Sequence, residues 1–303
     1  MNKKYAGKLL FLLVIVACIA SNAFSQRQVP AAKVSKPAIF AVLMDGKSLE
    51  PIAYVNKGKL EAPANGSDEE SVITAFNRIY YKPGTVYRLI FGSADAGTVT
   101  VKSANAKSDC SKNMADVLTK TSKTPLKGFV MGLATNVAGK TTGTGMRRKP
   151  TTAEKEEIDG LVRARFLKEK LTPKILRYQN LTALDLDNDG KAEFVGSYWV
   201  EIDKLTRGLL FFIAGQGSSG KYSFGYDEYR TVDQASVMSG DIKDVDGMVY
   251  HELLLDAFDY NGDGTAEVFT YQQSFEGAGF NVYRKSGDKW TQAYDFSNYH
   301  CGY

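Results

Sequence analysis

Two nine-residue acidic segments in the second half of the chain match each other almost position for position. They start 74 residues apart, span residues 185–193 and 259–267, and both follow the pattern D-x-[DN]-x-D-G-x-A-E. Each segment leads directly into an apolar stretch rich in aromatic and β-branched residues, which is typical of a strand. The repeat therefore predicts two copies of one structural unit, a tight acidic loop followed by a strand.

The composition of these loops favours binding of a hard cation. Carboxylates at alternate positions can point their oxygens at one ion, and a glycine at position six permits the sharp turn that this requires. Ca²⁺ is the usual ion for such a ligand set. An EF-hand would need a glutamate at position twelve between two helices, but that position is Gly196 or Thr270 here. The loops are therefore predicted to be calcium loops of another type.

At these residues the chain resembles the FG-GAP and VCBS-type repeats, which include the calcium loops of integrin α-subunit propellers. The resemblance covers about residues 175–303 and lies in the loop pattern D-x-[DN]-x-D-G-x-x-[DE] and the strand after it. It implies two bound Ca²⁺ ions, one in each loop, with a backbone carbonyl at position seven as a further ligand. The candidate metal ligands are Asp185, Asp187, Asp189, Lys191 and Glu193 in the first loop, and Asp259, Asn261, Asp263, Thr265 and Glu267 in the second.

Two alternatives limit this interpretation. Asp, Asn and Gly are also common in ordinary turns for conformational reasons, although two segments in the same register favour the metal site. A closed propeller needs at least four blades, and the chain has two such loops. We therefore expect a β-meander or a partial propeller, not a closed ring.

The amino terminus predicts export. Lys3, Lys4 and Lys8 precede an apolar run at residues 9–20 and then small and polar residues up to Ser25, which is the order of a secretory signal peptide. The run is too short to serve as a stop-transfer helix, so no transmembrane span is expected in the mature chain. Cleavage before Gln26 is the favoured prediction. The alternative is a lipoprotein signal with a lipid anchor at Cys18.

Charge argues against a nucleic-acid partner. The net charge is +4, and the predicted signal peptide, residues 1–25, carries three lysines and no acid. The mature chain would therefore be close to neutral, whereas nucleic-acid-binding surfaces are strongly basic. We expect a protein that is secreted, periplasmic or attached to the cell envelope.

The rest of the sequence predicts a mainly β fold, α+β overall. The expected organisation is a signal peptide at residues 1–25, a tether at 26–37, a small α+β domain at 38–135, a flexible linker at 136–150, and a helix followed by the β domain at 151–303. Capping boxes are predicted at Ser67 with Glu70 and at Thr151 with Glu154, each before a helical pattern.

The cysteines leave one question open. With Cys18 in the signal peptide, the mature chain would keep Cys110 and Cys301. In an oxidising compartment such a pair can form a disulfide. Two separate free thiols are the alternative, and the sequence favours neither.

No catalytic constellation is evident in the sequence. The chain has two histidines, His251 and His300, and neither lies in a context that suggests a Ser-His-Asp or Cys-His set. The leading hypothesis is a non-enzymatic, calcium-stabilised binding or cell-envelope module for an unknown protein or polysaccharide. The alternative is an exported enzyme that acts on a carbohydrate or another polymer, and a cleft with converging acids of perturbed pKa would favour it.

Overall fold

The computed structural model describes residues 35–121, 125–139, 141, 143–236 and 245–301. The predicted signal peptide, Cys18 and most of the predicted tether lie outside these residues. The described chain is mainly β, with three antiparallel sheets and two α-helices, so the predicted fold class is confirmed. No helix among the described residues is both long and apolar enough to cross a membrane.

The first sheet closes on itself as a six-stranded barrel. Its strand order is β1-β7-β4-β5-β6-β2, and pairing of β1 with β2 completes the ring, while β3 extends β2. These strands are β1 (Ala38–Leu43), β2 (Ser48–Asn56), β3 (Lys59–Glu61), β4 (Val86–Phe91), β5 (Ala94–Ala104), β6 (Ala115–Thr121) and β7 (Gly132–Thr135). Closure pairs the backbone of strands that would otherwise form open edges.

The second and third sheets are meanders. The five-stranded sheet has the order β12-β11-β10-β9-β8, and the four-stranded sheet has the order β13-β14-β15-β16. The strands of the five-stranded sheet are β8 (Arg147–Arg148), β9 (Arg177–Leu184), β10 (Glu193–Glu201), β11 (Thr206–Gln216) and β12 (Tyr222–Asp233). Those of the four-stranded sheet are β13 (Glu252–Phe258), β14 (Glu267–Gln273), β15 (Gly277–Ser286) and β16 (Lys289–Tyr299).

The five-stranded sheet is covered on both faces, which explains the long apolar runs in its central strands. Phe194 and Phe212 pack against one helix, α2 (Thr152–Lys168), through its buried residue Phe166. On the opposite face, Val195 and Ile213 pack against the four-stranded sheet. Strands buried on both faces read as continuous apolar sequence and do not alternate.

The four-stranded sheet also packs on the outside of the barrel. One core cluster contains Ile39 and Leu133 of the barrel together with Phe269 and Phe280 of the four-stranded sheet. The described residues accordingly form one compact unit. A buried ion pair joins β8 of the five-stranded sheet to β13 of the four-stranded sheet: Arg147 donates to Asp256 at 2.5 Å.

The two helix starts differ in how well the sequence predicted them. At α2, Thr151 and Glu154 form the predicted capping box. The other helix, α1 (Glu70–Tyr80), has Glu69 at its N-cap and no side-chain cap, so the prediction for Ser67 and Glu70 was wrong. Ser67 instead hydrogen-bonds Asn65 within the preceding turn.

A disulfide joins Cys110 to Cys301, which are 191 positions apart in sequence and have their Cα atoms 4.9 Å apart. It ties the segment after β16 to the segment between β5 and β6 of the barrel. Of the two alternatives that the sequence left open, the structure therefore contains the disulfide and not two free thiols.

Candidate metal centre

Both acidic loops are hairpin connections between neighbouring strands. The first joins β9 to β10, where Leu184 pairs with Glu193, and the second joins β13 to β14, where Phe258 pairs with Glu267. Position one of each loop therefore follows the last residue of one strand, and position nine is the first residue of the next. Pairing of the two strands brings the first and last acids of each loop together.

The two loops share a backbone conformation. Positions four and six have positive φ in both: Asn188 at 59° and Gly190 at 80° in the first loop, and Gly262 at 79° and Gly264 at 93° in the second. Glycine is the residue best suited to this region. The repeated sequence pattern thus corresponds to a repeated fold.

Two hydrogen bonds recur at matching positions of the loops. The N–H of position six donates to the carboxylate of position one, from Gly190 to Asp185 at 3.3 Å and from Gly264 to Asp259 at 3.0 Å. The N–H of position seven donates to the carboxylate of position five, from Lys191 to Asp189 at 2.8 Å and from Thr265 to Asp263 at 3.0 Å. The turn is therefore held in part by the acids themselves.

In the first loop three acids converge. Asp185, Asp187 and Glu193 each offer a carboxylate oxygen, and these oxygens all lie within 4.8 Å of one another. Among the described residues, Asp185 Oδ1 and Asp187 Oδ1 are buried without a hydrogen-bond partner. Buried carboxylate oxygens without donors are unfavourable, and an oxygen-ligated cation would satisfy them. This cluster could hold a metal ion.

Glu193, the last acid of the first loop, is buried like Asp185. It is 6% exposed, and its Oε2 accepts a hydrogen bond from the Leu186 N–H at 2.8 Å. Burial raises the pKa of Glu193 to about 7, and the charge of Asp187 acts in the same direction. Positive charge placed between these carboxylates would relieve both effects.

Asp189 and Lys191 lie outside this three-acid cluster. The side chain of Asp189 is 40% exposed and pairs with Lys191 at 2.9 Å. The Lys191 ammonium hydrogen bond and the backbone bond to Asp189 lower the pKa of that carboxyl. The sequence placed Asp189 on equal terms with the other acids, whereas the structure places Asp185, Asp187 and Glu193 closest together.

The second loop has the same turn but a different interior. Asn261 Nδ2 donates to Asp263 at 2.9 Å and to Glu267 at 2.6 Å, so an amide lies between the acids. Glu267 is 1% exposed, its Oε2 is buried without a partner among the described residues, and burial raises its pKa to about 7. Amide hydrogen bonds therefore occupy part of the acid oxygens here, and among the described residues the cluster of three converging acids is found in the first loop and not in the second.

Consecutive basic residues of β15 reach the two loops. Lys285 Nζ lies 2.9 Å from Asp187 of the first loop, and Arg284 Nε lies 3.0 Å from Glu267 of the second. The sequence analysis missed both residues, because Lys285 reaches an acid 98 positions away through packing of the meanders and Arg284 reaches one 17 positions away across the β14–β15 pair. Each loop thus has an internal positive charge against one of its candidate ligands.

Two cavities lie away from the loops. The larger, about 660 Å³, is lined by residues of the barrel and of the four-stranded sheet, including Glu50 and His300. The smaller, about 300 Å³, lies between the five-stranded and four-stranded sheets. His251 lines both, and burial together with the charge of Arg230 lowers its pKa to about 4.

No protein-family profile, curated protein or solved structure matches the chain. Conclusions about function therefore rest on the residues and geometry described above.

Proposed function

We propose that the chain is an exported, calcium-stabilised, non-enzymatic binding or cell-envelope module whose two acidic hairpin loops each bind one Ca²⁺. The observation that carries the proposal is the cluster of Asp185, Asp187 and Glu193, with two buried carboxylate oxygens that lack partners. The equivalent turn in the second loop supports a second site at residues 259–267. The resemblance to FG-GAP and VCBS-type loops points the same way.

The ligand chemistry favours calcium over magnesium. A loop that offers several carboxylates and a backbone carbonyl suits the flexible, high coordination of Ca²⁺, whereas Mg²⁺ prefers a small octahedral shell with several waters. Extracellular calcium modules bind with dissociation constants of about 0.1–1 mM. At roughly 1 mM free Ca²⁺, a site at the tighter end would stabilise the fold by about 1.4 kcal/mol.

Calorimetry and thermal melting in Ca²⁺, Mg²⁺ or chelator test the proposal. Ca²⁺ should bind with two sites and raise the melting temperature, and Mg²⁺ should do so poorly. Asp187→Asn should remove the first site, whereas Asp189→Asn should weaken it less. Asp288→Asn, an exposed acid in the β15–β16 turn, is the control for loss of one charge. Melting that is indifferent to chelator, with no binding at millimolar Ca²⁺, would refute the proposal.

Export has its own test. The mass of the exported protein should correspond to loss of residues 1–25, with Gln26 at the new terminus. A lipid-modified chain beginning at Cys18 would instead support the lipoprotein alternative and attachment to a membrane surface.

One observation favours the alternative function, an enzyme acting on a carbohydrate or another polymer. Glu228 and Glu252 both line the smaller cavity. Burial raises the pKa of Glu252, although hydrogen bonds from Thr270, Asn281 and Tyr283 oppose the shift. Two acids in different environments can divide acid and base roles. Hydrolysis of a polysaccharide that is lost in Glu252→Gln would support this alternative.

A further inference from the structure

The smaller cavity, which we call the inter-sheet cavity, is built from both meanders. Its lining comes from β10, β11 and β12 of one sheet, from β13, β14, β15 and β16 of the other, and from His251 beside β13. Its volume of about 300 Å³ is at the lower end of the range for small-molecule sites. The space suits a ligand about the size of one sugar ring.

The polar groups in this cavity are held in place by their neighbours. Glu252 Oε1 accepts hydrogen bonds from Thr270 at 2.6 Å, Tyr283 at 2.7 Å and Asn281 at 3.0 Å. Asn281 Oδ1 in turn accepts from Gln292 Nε2 at 2.9 Å. Side chains fixed in this way lose little conformational freedom when a ligand binds.

The two acids of the cavity, Glu228 on β12 and Glu252 on β13, lie on opposite sheets, and a tyrosine of the same sheet holds each of them. Tyr226 donates to Glu228 at 3.0 Å, and Tyr283 donates to Glu252 at 2.7 Å. The rings of the two tyrosines pack against each other with their centroids 4.7 Å apart. Both carboxylates therefore have defined orientations across the cavity.

The lining is mixed in charge and rich in groups that both donate and accept hydrogen bonds. Arg230 lies in the lining together with Glu228 and Glu252, so neither a strongly anionic nor a strongly cationic ligand is favoured. Each of the amides Gln272, Asn281 and Gln292 carries donors and an acceptor. Hydroxyl groups have the same dual capacity, and hydroxyl-bearing ligands match this surface best.

We propose that the inter-sheet cavity binds a neutral, polyhydroxylated ligand such as a single sugar residue. Leu209 and Phe211, which alternate with the α2-facing Leu210 along β11, supply an apolar wall for the C–H face of the ring, while Gln272 and Gln292 bind its hydroxyls. Glu252, which three donors hold in place, can accept a further hydrogen bond from a ligand hydroxyl. The inference rests on the proposed binding function and specifies the class of ligand that the protein would bind.

The probes are free D-glucose, D-galactose, D-mannose and N-acetyl-D-glucosamine, with D-glucuronate and D-glucosamine as charged counterparts. Saturation-transfer NMR followed by calorimetry, in saturating Ca²⁺, should detect at least one neutral sugar with a dissociation constant of about 1 mM. Gln272→Ala and Gln292→Ala should each weaken that binding about fivefold through loss of a hydrogen bond. Gln273→Ala, the next residue on β14 and outside the cavity lining, should leave it unchanged.

Three results would overturn the inference. The first is that no neutral sugar binds at about 10 mM, a concentration tenfold above the expected dissociation constant. The second is that the charged counterparts bind more tightly than the neutral sugars. The third is that Gln292→Ala binds the sugar with unchanged affinity. Gln292 is exposed, so its variant should fold even if Gln272→Ala does not. Ca²⁺ binding is measured separately on the same samples, so a failure of the sugar site is distinguishable from a failure of the proposed calcium sites.

Discussion

The backbone N–H of Ala266 donates to the carbonyl of Leu186 at 2.7 Å, which joins the two acidic loops directly. Leu186 is position two of the first loop, and Ala266 is position eight of the second. Their side chains also share one core cluster. A hydrogen bond and shared packing therefore connect the two loops.

We expect Ca²⁺ binding at the two loops to be coupled. Asp187→Asn should remove the first site and also weaken the second about fivefold, at the lower end of typical coupling between sites. Because coupling in binding is reciprocal, Asp259→Asn, which changes position one of the second loop, should weaken the first site by the same factor. Calorimetric titration of both variants beside Asp288→Asn measures this. A remaining site that keeps its wild-type affinity in both variants would show that the loops act independently.

Lys285 should act as an internal competitor of the metal. It pairs with Asp187 at 2.9 Å, and both side chains are about a quarter exposed, at 28% and 26%. Such a pair contributes up to about 1 kcal/mol. Lys285→Met should therefore tighten Ca²⁺ binding up to about fivefold and lower stability in chelator. Lys289→Met, an exposed lysine nearby, is the control, and equal affinity in Lys285→Met and wild type would contradict the prediction.

The disulfide should contribute substantially to stability. A bridge that closes so long a loop stabilises by about 2–4 kcal/mol, chiefly by restricting the unfolded chain. The double variant Cys110→Ser with Cys301→Ser should therefore unfold at lower denaturant concentration. A non-reducing peptide map should recover both cysteines in one linked peptide. Recovery of two free-thiol peptides, or an unchanged unfolding midpoint, would argue against the bridge.

The His300–Glu50 pair should make stability depend on pH. His300 Nε2 lies 2.6 Å from Glu50 Oε1. Burial lowers the pKa of His300, but the hydrogen bond and the charge of Glu50 outweigh it, and the net pKa is raised above its ordinary value of 6.5. A raised pKa in the folded state adds stability that is fully present below about pH 6.5 and is lost as pH rises through the folded value.

Denaturant unfolding of wild type and His300→Gln from about pH 6 to about pH 9 tests this. The stability advantage of wild type should be largest at the acidic end and should shrink as pH rises. A difference between the two proteins that is constant across the range would show that His300 contributes only by packing.

Local patterns predicted the hairpin loops well but not the architecture around them. The repeated glycines and alternating acids were sufficient to place Gly190 and Gly264 in tight turns before strands, because these features depend on nearby residues alone. Closure of the barrel was not predicted, since it needs β1 to pair with β7 and β2 with β6, and such long-range pairing leaves little trace in a single sequence. The contact of Lys285 with Asp187 and the inter-sheet cavity depend on packing between the two meanders, so they could not be predicted from the sequence either.

The bridge between Cys110 and Cys301 also makes correct oxidation depend on the packing of the whole fold. All the barrel strands precede residue 136, whereas Cys301 follows β16, so the fold brings the two thiols together when β16 lies beside the barrel segment that carries Cys110. In the unfolded chain the same thiols are 191 positions apart, and their encounter requires the closure of a long loop. An oxidant therefore joins the correct pair most readily in a chain whose sheets have already packed.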